Sequence, residues 1–96
     1  MNVEIMKIRV MGVQDHDVER YYSITLSIEG KRIKYSGGAL TFQSALEDAY
    51  FYATGKRIQW QETLDQRSEP VFTDEAADPS LFTHLERVPP WVDQTF

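Results

Sequence analysis

The chain has 96 residues, 42% hydrophobic and 12% aromatic, enough for one small domain with a modest core. It has no Cys, which excludes disulfides, thiolate catalysis, zinc ribbons and iron–sulfur ligation. No apolar run approaches the ~18 residues of a membrane-spanning helix, and no charged segment followed by an apolar block opens the chain, so a cytoplasmic location is expected.

The net charge of −5 is unevenly placed. Residues 1–60 carry eight Lys and Arg against seven Asp and Glu, whereas residues 61–96 carry two against eight. An acidic chain repels phosphate at long range, which sets direct nucleic-acid binding at a disadvantage. It suits a protein partner with a basic surface.

In chain order, VEIMKIRVMGV (3–13) reads as a first strand. Met6, Ile8 and Val10 alternate with Lys7 and Arg9. Val3 and Ile5 fall out of phase with that set, and a bulge near Met6 reconciles them. Residues 14–19 read as a polar loop. Its cluster Asp15, His16, Asp17 and Glu19 holds metal-ligand residue types without a known ligand spacing, and His84 lies far away in sequence. No metal or cofactor is expected.

RYYSITLSIEGKRIKYSG (20–37) predicts a hairpin. Tyr22, Ile24, Leu26 and Ile28 share one face, and Ser23, Thr25 and Ser27 the other. A two-residue turn at Glu29-Gly30 pairs Ile28 with Lys31, Leu26 with Ile33 and Ile24 with Tyr35. Ser36, Gly37 and Gly38 are expected to break the strand. TFQSALEDAYFYATG (41–55) then predicts a helix, with Thr41 as N-cap and Gly55 as the left-handed residue past its end. Its buried stripe is Phe42, Ala45, Leu46, Ala49, Tyr52 and Ala53.

KRIQWQETL (56–64) reads as a fourth strand or an extended exit from the helix. Residues 65–79, rich in Asp, Glu, Ser and Pro, read as a loop or wrapping arm. Asp78 and Pro79 open a short second helix that presents Leu81, Phe82 and Leu85. The expected fold is therefore α+β. An antiparallel three- to four-stranded sheet carries one helix on one face (1–64), and an acidic C-terminal arm (65–96) packs on this core within a single domain.

No nucleophile, base and orienting group stand in a recognisable pattern, so no enzyme is expected. The stripe leaves Phe51 unaccounted for and Tyr50 at its edge. Three fates are open: cover by the C-terminal segment, a homodimer across the helix face, or a partner surface. In the last, Tyr50, Phe51 and Trp91 are anchors and Glu47, Asp48, Asp74, Glu75 and Asp78 form an acidic rim.

Two resemblances follow from these residues. Gly30, Lys31 and Arg32 in a hairpin, then Thr41 opening a helix with Ala45 four positions on, resemble the arm-binding domains of phage-type integrases. That implies a ββα nucleic-acid-binding module using Lys31, Arg32 and Lys34. The sequence departs from those basic domains in its acidity and in the Ser and Thr at outer strand positions. As a type, a compact, Cys-free, acidic domain with surplus aromatics resembles the small inhibitors of phages and mobile elements, including anti-CRISPR proteins. That implies a non-enzymatic protein-binding module that blocks a basic, nucleic-acid-handling surface. A self-associating assembly subunit is a third reading.

Overall fold

The computed structural model describes residues 2–13, 20–85, 88, 89, 91 and 92. The elements are β1 (Val3–Val13), β2 (Arg20–Ile28), β3 (Lys31–Ala39), α1 (Phe42–Thr54), β4 (Lys56–Glu62), β5 (Ser68–Ala76) and a 3-10 turn, Pro79–Phe82. They form an α+β fold with two antiparallel sheets, one ordered β1-β2-β3 and the other β4-β5. The cluster of ligand-type residues Asp15, His16, Asp17 and Glu19 lies outside the described residues.

The β2–β3 register follows the alternation of the two strands, with Ile28 opposite Lys31, Leu26 opposite Ile33 and Ile24 opposite Tyr35. Glu29 and Gly30 both take positive φ, 52° and 82°, the geometry whose twist matches that of the flanking strands. On β1 the ladder slips between Ile5 and Lys7, leaving Met6 as the extra residue. Val3, Ile5, Ile8 and Val10 thereby lie opposite Ile28, Leu26, Ile24 and Tyr22, all on one face.

Gly37 and Gly38 do not break β3. They pair with Tyr22 and Tyr21, and the strand runs on to Ala39. The absence of a side chain at Gly37 is what the strand needs, because a Cβ there would overlap the Tyr35 ring folded across it.

Helix α1 begins where Thr41 Oγ1 accepts a hydrogen bond from the Ser44 N–H (3.0 Å). It ends at Gly55, φ 75°, whose N–H donates to the Phe51 carbonyl (2.8 Å). Ala45, Leu46 and Ala49 are buried against Tyr22, Ile24, Leu26, Ile28 and Tyr35. The alanines let the helix lie close to the sheet. Its main strand contacts are with β2, β3 and β4.

The strand expected after the helix forms, but it pairs with β5 rather than joining the first sheet. Residues 68–76, expected as loop, are therefore a strand. The junction between residues 64 and 65 falls inside its hairpin turn, where the Thr63 N–H donates to the Arg67 carbonyl (2.8 Å). Pro70 is tolerated because β5 pairs on one side only. The expected second helix is a 3-10 turn, with Asp78 Oδ1 accepting from the Ser80 N–H (3.0 Å). Among the described residues no helix is long and apolar enough to cross a membrane.

A Cβ on Gly55 would stand 3.2 Å from the Trp91 ring in a backbone region that L side chains avoid. Gly55→Ala is expected to lower stability by about 1–2 kcal/mol, read from the shift in the urea unfolding midpoint at unchanged slope.

Candidate functional site

Three consecutive rings leave the last turns of α1 about 100° apart, and each meets a different element. Tyr52 packs on Tyr35 of the first sheet (ring centroids 5.4 Å apart). Tyr50 is 0% exposed, meets Phe72 of β5 edge-on (5.0 Å) and donates its O–H to the Thr73 carbonyl (2.6 Å). Phe51, 6% exposed, stacks on Phe82 with centroids 4.0 Å apart and planes 8° from parallel. Trp91 approaches Phe51 edge-on (5.5 Å) and donates its Nε1–H to the Phe51 carbonyl (2.6 Å). Of the three fates open to the extra rings, the structure shows the first, cover by the C-terminal segment. Leu81, expected on one apolar face with Phe82 and Leu85, is 70% exposed.

The acidic residues assigned to a rim are engaged within the chain. Glu47 Oε1 accepts from Trp60 Nε1–H (2.8 Å). Asp48 is buried, with its Oδ2 at 3.0 Å from His84 Nε2. Asp74 pairs with Lys56, and Glu75 accepts from Arg57 Nε–H (2.7 Å). Asp78 caps the 3-10 turn. Lys56 and Arg57 are thereby neutralised, and these pairs tie β4 to β5.

Burial pushes the Asp48 carboxyl above its ordinary range, against the opposing pull of His84. Asp74 is held below it by the hydrogen bond and charge of Lys56, and Asp78 by its hydrogen bonds to Ser80. His84 and Asp48 are the two halves of an oriented base, but no further side chain among the described residues hydrogen-bonds His84. The pair acts as a strut from the helix to the segment after the turn. No group of three possible metal ligands gathers among the described residues.

The first sheet turns its other face away from α1, and the register arranges that face in rows. Glu4, Ser27 and Arg32 lie side by side, then Lys7, Thr25 and Lys34, then Arg9, Ser23 and Ser36, then Gly12, Tyr21 and Gly38. Lys7, Arg9, Arg32 and Lys34 thus surround a Ser/Thr centre, with Glu4 the one acid, and none of the four cations has an ion-pair or hydrogen-bond partner among the described residues. Tyr21, 37% exposed, has a glycine directly opposite it on either side.

Arg32 and Lys34 therefore stand together as the sequence suggested. Lys31, opposite Ile28, belongs to the other face. Lys7, Arg9 and Tyr21 were not assigned from the sequence. Their signal was the alternation along β1 and β2, usable only once the slip at Met6 is resolved. No known protein family matches the chain, and searches of curated proteins and of solved structures find no similar protein.

Phe51→Ala is expected to cost about 3–5 kcal/mol of stability, and a double-mutant cycle with Phe82→Ala to show about 0.5–1.5 kcal/mol of coupling by urea unfolding. The raised Asp48 pKa gives a pH signature. Above 3.8 the unfolded chain releases this proton before the folded one does, so Asp48 subtracts stability as pH rises through its folded value. Asp74 and Asp78 act oppositely, adding stability as pH rises toward 3.8. Wild-type stability relative to Asp48→Asn should therefore decline with rising pH above 3.8, measured as urea midpoints across the acid range.

Proposed function

We propose that this chain is a non-enzymatic nucleic-acid-binding module that works through the outer face of its first sheet. One observation carries the reading. Four cations with no ion-pair or hydrogen-bond partner among the described residues share the sheet face turned away from the helix with a partly exposed tyrosine at its end, while the eight residues first assigned to a protein partner all have partners inside the chain. Lys7, Arg9, Arg32 and Lys34 would track phosphates. Tyr21 would offer a ring for a base to stack on, a combination that suits single strands.

Net charge does not forbid this. Screening at physiological salt confines each charge to about 8 Å, and the molecule measures 42 × 36 × 25 Å. The acids of β5 belong to the second hairpin, and the cationic face points away from the helix on which that hairpin packs. Locally, phosphate meets positive charge.

A second reading keeps the inhibitor class. Glu62, Asp65 and Glu69 are exposed around the β4–β5 turn and have no ion pair among the described residues, so this hairpin end would present the acidic surface to a basic protein.

Fluorescence anisotropy with short mixed-sequence oligonucleotides, single-stranded and duplex, tests the first reading. Binding at low salt is expected. Each of Lys7→Ala, Arg9→Ala, Arg32→Ala and Lys34→Ala should weaken it and reduce the slope of log affinity against log salt by about one. Tyr21→Ala should cost about 1–3 kcal/mol on single strands and leave that slope unchanged. Absence of binding at low salt, or binding indifferent to these substitutions, overturns it.

A further inference from the structure

The outer edge of β1 carries a second, independent feature. β1 is an edge strand, and the helix packs chiefly on β2 and β3, so Ile5, Ile8 and Val10 remain 37%, 42% and 53% exposed. A bare edge with apolar side chains is a template for another strand. We propose that the occupant is β1 of a second copy, paired antiparallel about a two-fold axis between Met6 and Lys7.

The register follows from the residues themselves. About that axis Val3 faces Val10 of the second copy, Ile5 faces Ile8, and Glu4 faces Arg9. Residues opposite one another in an antiparallel pair must point to the same face. In an unbroken strand residues five or seven positions apart point to opposite faces, so Glu4 could not match Arg9, nor Val3 match Val10. The slip at Met6 removes that conflict by setting Val3, Ile5, Ile8 and Val10 on the inner face and Glu4, Lys7 and Arg9 on the outer. A regular strand docking here would have to absorb the bulge. An identical strand matches it residue for residue.

Hydrogen bonding agrees. In a two-residue hairpin the residues flanking the turn, Ile28 and Lys31, are the hydrogen-bonded pair. Ile28, Leu26 and Ile24 thus bond to β3, and Ser27, Thr25 and Ser23 bond to β1. The bond from the Glu29 N–H to the Asn2 carbonyl (3.0 Å) belongs to the same alternation. On β1, Glu4, Lys7 and Arg9 therefore bond inward to β2, leaving the backbone groups of Val3, Ile5, Ile8 and Val10 aimed at the free edge. Those four are the residues that face one another across the axis. Glu4 and Arg9 then form non-hydrogen-bonded pairs, in which side chains stand closest. The two sheets become one of six strands, and the two cationic faces lie side by side on it.

Sedimentation equilibrium without nucleic acid tests this, so its outcome is separate from that of the oligonucleotide assay. A reversible dimer is expected. Glu4→Arg and Arg9→Glu, both at exposed positions, should each weaken it about tenfold, since each substitution sets two pairs of like charges opposite one another. The double swap Glu4→Arg/Arg9→Glu should restore it to within about threefold while preserving the charge of the face. Circular dichroism confirms that each variant is folded. Ile8→Lys should abolish the dimer. A wild-type chain that stays monomeric at submillimolar concentration overturns the proposal. So does a dimer that ignores the single reversals, or one that the double swap fails to restore.

Discussion

The 100° step between neighbouring helical residues organises this molecule. Tyr50, Phe51 and Tyr52 leave α1 in three directions, and three separate elements meet them: the first sheet, β5, and the turn with its following segment. A helix on a sheet ordinarily has a wet side. Here only part of the circumference is free, and the acidic third of the chain is held to the rest by ring contacts as much as by charge.

That arrangement decides where charge is available. Ion pairs tie Lys56 and Arg57 of β4 to β5, and a buried carboxyl holds His84. These interactions consume the residues that composition makes most conspicuous. Among the described residues, a set of cations on a sheet face with small polar residues between them keeps no ion-pair partner, as do the acids Glu62, Asp65 and Glu69 at the second hairpin's turn. Net charge thus suggested a basic partner, while the unpaired cations of the sheet face are the ground for the anionic partner proposed above.

Much of the first sheet was legible because two independent patterns agreed. The alternation on β2 and β3 and the glycine between them specify one register, and the phase slip on β1 marks the bulge at Met6, whereas the second shift, between Val10 and Gly12, has no such mark in the sequence. The helix was legible from its caps. β5 was not, because its sequence is charged, contains Pro70 and shows no clean alternation. It is a strand because Phe72 lies against Tyr50 and β4 supplies a partner, both tertiary facts. Gly37 and Gly38 misled for a related reason. Glycine weakens a strand in isolation, and here it makes room for the Tyr35 ring. The cationic face was half legible. Arg32 and Lys34 were visible within one hairpin, whereas Lys7 and Arg9 required a register between two strands whose polar connection specifies no pairing.

The order of the strands has a consequence for how the chain comes together. Every ladder joins elements adjacent in sequence, β1 to β2, β2 to β3 and β4 to β5, so each pairing can close soon after its second strand is made. Phe51 is the exception, since its cover at Phe82 and Trp91 comes 31 and 40 positions later. A chain growing from its N-terminus therefore carries both finished sheets and the helix, with the Phe51 ring still bare, until residues 82 and 91 follow. That ring is where a chaperone or a second unfinished chain would take hold, and the arrival of Trp91 at the helix end marks the close of that interval.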